Sequence, residues 1–286
     1  MPFDLLARSS YDLRLHTEFP RGHPGINAPS RHRNIPGGSW TPAVRGLDLS
    51  RWETKPNRVF SRRSTESNLP PVATVVLNGR EMTIRTILSL GWQLPWIIYD
   101  QCTPPKLLDF VKDMPDVIVL RPNHRSSVAY AWNCCLREAW DRGADSALIV
   151  NNDIVFQPRA YENLLEVCRE HPEYGIVSMA ELPDDIPKFR GTTIVPGARF
   201  SAFLERRFIW DRVGGFDTRF RPAYWEDADF LRRSRDAGIP VGLTIRAACV
   251  HAHFGSTPGV IGRVRRDLYY RRNRRRYASK WGDDRR

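Results

Sequence analysis

Six short runs of aliphatic and β-branched residues recur through the middle of the chain. They are VATVVLN (72–78), PWIIYD (95–100), DVIVLRP (116–122), SALIVNND (146–153), GIVSM (175–179) and VGLTIR (241–246). Short continuous apolar runs bounded by turn residues are the pattern of strands buried on both faces. Between the runs, apolar positions return at helical spacing. Ile84, Ile87 and Leu88 share one face of a helix over Glu81–Leu90, and Ala129, Trp132, Leu136 and Ala139 share a face of another, capped by Ser126 or Ser127. Pro104-Pro105 opens a helix to about Asp113, and another helix follows Pro158. A further one runs from the acids at 226–229 to about Ala237, where Gly238 stops it. This alternation predicts an α/β fold with helices flanking a mixed, largely parallel sheet.

The flanks have no such pattern. Residues 1–69, with HTEFPRGHPGINAPSRHRNIPGGSWTP among them, are rich in Pro, Gly and Asn and read as an irregular N-terminal arm. Residues 70–255 form the layered domain, and residues 256–286 form a basic tail, helical from about Val260. Val260, Val264 and Leu268 are four apart, which predicts that this face docks on the domain while the arginines point outward.

Charge sharpens this division. The chain carries a formal charge of +12, yet residues 70–262 hold 22 basic and 23 acidic side chains. The excess therefore sits on the flanks, with 11 basic against 3 acidic residues in 263–286 alone. No apolar run approaches the length of a membrane span, and Met1 to Pro20 contains no apolar signal core. Five cysteines without a C-x-x-C pair predict free, mostly buried thiols in a reducing cytoplasm.

Candidate chemistry gathers at strand ends. In open α/β sheets ligands bind beyond the carboxyl ends of the strands, and Asn78, Asp100, Asn123 and Asn151-Asn152-Asp153 all fall there. A carboxylate with neighbouring amides suits a hard divalent cation such as Mg²⁺ or Mn²⁺ carried on phosphates, although Asn and Asp also favour simple turns. A second constellation lies in FIWDRVGGFDTRFRPAYWEDADFLRRSRDAGIPVGLTIRAACVHAHFGS (208–256), where Glu226, Asp227 and Asp229 crowd a helix start. Acids at a helix N-terminus complement its dipole. A rim carboxylate on a rigid element is also what a general base requires.

Taken in order, these features resemble the family 2 glycosyltransferases of the GT-A fold. That family's pattern is a strand ending in an Asp-x-Asp-like triplet, a Gly-Gly-Phe-Asp stretch, a Glu-Asp-x-Asp helix with an Arg and a Gly, and a strand leading to a His. This chain has Asn151-Asn152-Asp153, Gly214-Gly215-Phe216-Asp217, Glu226-Asp227-Ala228-Asp229, Arg232, Gly238 and His251 at matching places over roughly residues 72–256. The stretch WEDADFLRR…AACVHAHFGS is similar to galactofuranosyltransferase-like members, and rhamnosyltransferase-like members are also similar. The resemblance implies an inverting, metal-dependent transferase using a nucleotide-sugar donor, with a UDP-sugar the first choice. Asp153 and His251 would be metal ligands, and Asn151 stands where many members carry an acid. Asp227 matches the catalytic base, with Glu226 and Asp229 placed to orient the acceptor or pair with Arg, and Trp225 placed either to stack on a sugar or to pack. Asp100 matches the carboxylate that reads the nucleotide base, Asn78, Arg80 and Asn152 line the donor site, and Arg125 is placed to meet a phosphate.

The acceptor is open at this point. The tail GRVRRDLYYRRNRRRYASKW interleaves Arg with Tyr and Trp, a combination that grips phosphates and stacks on bases. A nucleic-acid acceptor, such as a hydroxymethylated DNA base, is one expectation, and a cell-envelope or lipid-linked glycan is the alternative. A third reading, from another class, is a non-catalytic nucleic-acid-binding protein on a transferase scaffold.

Overall fold

A computed structural model describes residues 56–62, 69–77, 79–101, 106–251 and 256–282, all within the compact unit Asp48–Arg286. Asn78, Cys102 and His253 lie outside the described residues. The strands are β1 (Asn57–Arg62), β2 (Val72–Val76), β3 (Trp96–Asp100), β4 (Val117–Arg121), β5 (Ser146–Asn151), β6 (Ile154–Phe156), β7 (Ile176–Glu181), β8 (Ile194–Pro196), β9 (Ala202–Arg206) and β10 (Val241–His251). The helices are α1 (Arg80–Leu90), α2 (Lys106–Val111), α3 (Val128–Asp141), α4 (Ala160–Glu170), α5 (Ile186–Phe189), α6 (Arg207–Val213), α7 (Glu226–Asp236) and α8 (Ser256–Trp281).

All ten strands join one sheet in the order β1-β4-β3-β2-β5-β9-β7-β10-β6, with β8 beside β10. The block β4-β3-β2-β5 is parallel, as is β7-β10. β9 runs antiparallel between β5 and β7 and joins the two blocks. The result is the expected mixed, largely parallel layer. Alternate residues supply two cores: Val72, Val76, Trp96 and Ile98 face α1 and α2, while Ala73, Ile97 and Tyr99 face α3. The apolar periodicity of α1 and α3 holds, and Ser127 is the N-cap of α3, accepting from Tyr130 N at 3.2 Å.

Three features depart from the expected pattern. β1 falls inside the segment read as irregular and pairs antiparallel with β4. It is mostly exposed, so an edge strand needs no buried face to pair. The strand read as VGLTIR continues to His251, because a register shift between Thr244 and Ala248 lets one strand serve β8 first and β6 later. The tail is helical, and the side chains of Val260 and Val264 lie outside the described residues. Leu268 is 60% exposed, whereas Asn273 is fully buried, with Tyr277 one turn and Lys280 and Trp281 two turns further on. Asn273 and Lys280 dock through hydrogen bonds and ion pairs, which an apolar-spacing rule does not find.

Candidate active site

Backbone register builds the first half of the site. β5 ends at Asn151, whose N–H donates to Ser201 O at 2.7 Å. The chain turns at Asn152-Asp153 and enters β6, where Ile154 pairs with His251 of β10. Glu181, at the end of β7, pairs with Cys249 two residues before that histidine. His251 is thus set between two carboxylates: its Nε2 lies 3.1 Å from Asp153 Oδ1 and its Nδ1 lies 3.7 Å from Glu181 Oε1. Ser201 Oγ donates to Glu181 Oε1.

Electrostatics follow from this placement. Hydrogen bonds that its ring donates to the Asp153 and Glu181 carboxylates push the His251 imidazole up to about 10, against an opposing effect of burial. Burial raises Glu181, but hydrogen bonds from His251 and Ser201 outweigh it and leave the carboxyl below its ordinary range. A cation is therefore favoured at this point. Among the described residues no three His, Cys, Asp or Glu side chains form a ready cage. The geometry does fit two cis ligands: bonds of about 2.1 Å at right angles set ligand atoms about 3.0 Å apart, against the 3.1 Å observed. A carboxylate on the far nitrogen of a ligating histidine fixes its tautomer, which is the position of Glu181. Such a pair suits an ion that also coordinates phosphates.

Asn152 has another task. Its Nδ2 donates to Thr83 Oγ1 at 3.1 Å, Thr86 Oγ donates to Ile154 O at 2.8 Å, and Phe156 N donates to Ser89 Oγ at 3.2 Å. Hydroxyls every third residue along α1 thereby stitch it to the 152–156 segment, so Asn152 positions the turn that carries Asp153. Among the other expected donor-site residues, Asp100 is buried and paired with Arg121 Nη2 at 2.6 Å. Arg80 is half-buried at the start of α1, and Arg125 is exposed beyond β4. Asp100, Asn151, Glu181 and His251 all lie at the carboxyl edge of the sheet.

The second half is the loop 214–225 and the start of α7. Asn133 of α3 clamps this loop through Phe216, accepting from its N–H and donating to its carbonyl, both at 2.8 Å. A Cβ on Gly215 would meet Trp210 at 2.6 Å and Asn133 Oδ1 at 2.7 Å, so only glycine fits. Phe216 stacks on Phe230 at 4.4 Å and packs edge-on to Trp132 at 5.0 Å. Pro222 O accepts from Val128 N at 2.9 Å, which ties the loop to the start of α3 at the carboxyl edge.

Helix α8 holds this loop from outside. Asn273 Nδ2 lies within reach of three carbonyls, Arg221 (3.1 Å), Ala223 (2.9 Å) and Tyr224 (3.1 Å). Tyr224 and Trp225 both adopt left-handed backbone angles, φ 78° and 76°. Such angles cost about 1–3 kcal/mol per residue unless the surroundings impose them, and these contacts do so. Trp225 packs against Tyr270 and Tyr277, with ring centroids 5.5 and 5.1 Å away. Its ring is engaged by the tail helix, the packing role that was one of the two expectations for it.

The three acids of α7 have separate environments. Asp229 is fully buried; it receives Arg233 Nε at 2.9 Å, Lys280 Nζ at 2.6 Å and Trp281 Nε1 at 2.9 Å. It anchors α8, and its ion pair with Arg233 is one of the two roles expected for it. Glu226 is 5% exposed and its Oε2 has no hydrogen-bond partner among the described residues. Burial, aided by the charge of Asp227, pushes its carboxyl up to about 8. Asp227 is half-buried at the rim; burial raises it, while backbone N–H groups, with Ala228 N at 2.8 Å, restrain the rise. Glu181, Ser201, Asn273 and Lys280 were absent from the sequence reading. The strand-end rule that singled out Asp100 and Asp153 applies equally to Glu181, at the end of IVSMAE.

Two sizeable cavities lie elsewhere. One of about 380 Å³ opens at the amino ends of the strands, between Pro70, Pro95, Asp116 and Arg142. Another of about 620 Å³ lies behind α7, against Leu231, Ile239 and Tyr277. Neither includes Asp153, His251 or Asp227 in its walls.

No protein-family model matches the chain, and no curated protein matches it. Solved structures do. A mannosyltransferase from Pyrobaculum calidifontis, determined with GDP-Man and Mn²⁺, superposes with a TM-score of 0.56 at 18% identity over 76% of this chain and 64% of its own. GalNAc-T7 with UDP, GalNAc and Mn²⁺ gives 0.53 at 11% identity, covering 65% of this chain and 44% of that one. Residues 1–349 of S. aureus TarS with UDP-GlcNAc give 0.51 at 12% identity, covering 63% and 57%. The fold is therefore one shared with GT-A-type glycosyltransferases. The chain spans less than two-thirds of the length of each of these proteins.

Proposed function

We propose that the chain is a metal-dependent inverting glycosyltransferase that moves a sugar from a nucleoside-diphosphate sugar, a UDP-sugar in the first instance, to an acceptor hydroxyl. The observation that carries this is His251 held 3.1 Å from Asp153 at the carboxyl edge of the sheet, with a half-buried carboxylate, Asp227, at the start of α7, which follows a loop tied to the same edge. The fold shared with proteins solved with nucleotide sugars and Mn²⁺ supports it.

Asp153 and His251 would hold Mn²⁺ or Mg²⁺, with Glu181 orienting the histidine. When bound, the ion neutralises charge on the donor's diphosphate and so eases its departure. Asp100 reads the nucleotide base, and Arg80 and Arg125 meet the phosphates, on the pattern the sequence resembles. Asp227 takes the proton of the acceptor hydroxyl while that oxygen bonds to the anomeric carbon and the bond to the diphosphate breaks. A single displacement of this kind inverts the anomeric configuration. Glu226, kept mostly protonated by burial, borders Asp227 in sequence and is a hydrogen-bond donor for the acceptor.

The test compares wild type with Asp227→Asn for release of nucleoside diphosphate from nucleotide sugars with added Mn²⁺. A fall of at least about 100-fold is expected, in the range that a general base contributes. Equal inertness of both proteins across UDP-, GDP- and TDP-sugars would return the chain to the non-catalytic binding reading.

A further inference from the structure

Four arginines meet beside the loop that carries Asp227. Arg272 and Arg276 reach from α8 to the carbonyls of Arg221 and Arg219, and Arg221 Nε donates to Thr218 O at 2.9 Å. The acidic side chain bearing on Arg276 is Asp217, which Arg219 (2.6 Å) and Lys280 (2.9 Å) already engage. Like charge is therefore concentrated here. Partial burial, then repulsion from Arg272, Arg219 and Arg221, lowers the Arg276 guanidinium below its ordinary value.

The same helix presents further arginines. Arg265, Arg271, Arg274 and Arg275 are exposed, and the acid among them, Asp267, lies 3.2 Å from Arg266. From Arg265 to Arg276 the helix rises about 16 Å at 1.5 Å per residue. Along a duplex axis that length spans about five base-pair steps of about 3.4 Å each. Guanidinium forks suit phosphate oxygens bidentately.

We infer that the cluster Arg219, Arg221, Arg272 and Arg276, continued by the exposed arginines of α8, is a phosphodiester-binding surface that receives a nucleic acid next to the candidate base. Charge complementarity decides the class of partner. A neutral glycan offers these guanidiniums nothing to pair with. A membrane surface requires a broad apolar face, and among the described side chains of α8 the exposed large apolar ones are Leu268 and Tyr270. Calling the nucleic acid the sugar acceptor rests on the glycosyltransferase reading; the binding surface itself does not.

The experiment is fluorescence anisotropy with a labelled 20-nucleotide single strand and its duplex, titrated with the full chain between 50 and 300 mM salt. Binding that weakens steeply with salt is expected. The pair Arg271→Gln/Arg275→Gln should lower the slope of log K against log salt by about 1 per arginine removed. Arg272→Gln/Arg276→Gln should do the same, and thermal melting separates lost binding from lost folding, with the exposed pair deciding if the inner pair unfolds. Absence of binding at 50 mM salt, or a slope unchanged in the outer pair, overturns the inference. So does binding to anionic vesicles without binding to either oligonucleotide, which assigns the ridge to a lipid surface. Release of nucleoside diphosphate is measured in parallel on wild type. A chain that binds oligonucleotide but turns over no nucleotide sugar keeps this surface and loses the transferase reading, and the opposite result does the reverse.

Discussion

Replacing Glu205 by glutamine should remove a slope from the pH dependence of stability. Glu205 lies on β9, fully buried, in register with Ala147 on one side and Ile176 on the other. It shares a sheet face with Phe203, and neither carboxyl oxygen has a hydrogen-bond partner among the described residues. Burial pushes the carboxyl from 4.5 up to about 8, with Arg233 pulling weakly the other way. Below pH 4.5 both folded and unfolded chains hold the proton, so the group does not oppose folding. Between pH 4.5 and 8 the unfolded chain releases the proton while the folded chain retains it, so stability falls as pH rises. Above pH 8 both are ionised and the loss is complete. At 1.36 kcal/mol per unit the full effect is about 5 kcal/mol, of which about 3 to 4 falls between pH 5 and 8. Glutamine cannot titrate, and whatever its amide costs is independent of pH. Urea unfolding of both proteins at pH 5, 6, 7 and 8, followed by tryptophan fluorescence, should give a difference that grows in favour of the variant by that amount. Parallel curves would mean that Glu205 ionises at its ordinary value, and the reasoning from burial would be wrong.

Three further outcomes follow from the site. Gly215→Ala places a methyl group 2.6 Å from Trp210 and should cost about 1 to 3 kcal/mol by urea unfolding, as overpacking does. Lys280→Ala strips one charged donor from the buried Asp229 and from Asp217; a loss of about 2 to 3 kcal/mol is expected, with turnover falling through kcat because the α7 start is no longer held. Asp153→Asn should raise by at least about tenfold the Mn²⁺ concentration that half-saturates binding in the presence of nucleoside diphosphate, read by electron paramagnetic resonance of free Mn²⁺. An unchanged Mn²⁺ titration would move the ion away from the β5–β6 turn.

The sheet was legible where strands are buried on both faces, because β2, β3, β4, β5 and β7 are continuous apolar runs. It was illegible where that condition fails. β1 is an exposed edge, and β6 and β8 are three residues each. β9 carries a charged residue into the core, so AFLER reads as a strand with a polar break rather than a buried one. The helix α8 was found, but not its inner face: polar side chains do the docking, with Asn273 and Lys280 saturating backbone carbonyls and buried carboxylates. Apolar periodicity has no access to an interface of that kind. Asp153 and His251 were paired from the sequence only through the resemblance, since their contact depends on the β6–β10 register across 98 residues of sequence.

The acids of α7 show what sequence could not rank. Glu226, Asp227 and Asp229 crowd one helical turn, and each alone satisfies the requirement for a rim carboxylate. Environment separates them. Asp229 is committed to three donors, and a carboxylate that holds Arg233, Lys280 and Trp281 cannot also receive a proton from a hydroxyl without releasing α8. Glu226 is sealed from water and, near neutral pH, keeps its proton more often than it releases it, which suits a donor of hydrogen bonds and not an acceptor of protons. Asp227 combines partial access with restraint: it is half-buried, and backbone N–H groups stabilise its charged form while burial makes that form more basic than a free aspartate. A base must be ionised before the reaction and reluctant to stay so during it. Among the three acids that balance is found at Asp227, which was reached from the sequence only through resemblance and is favoured here by the opposing effects on a single carboxyl group.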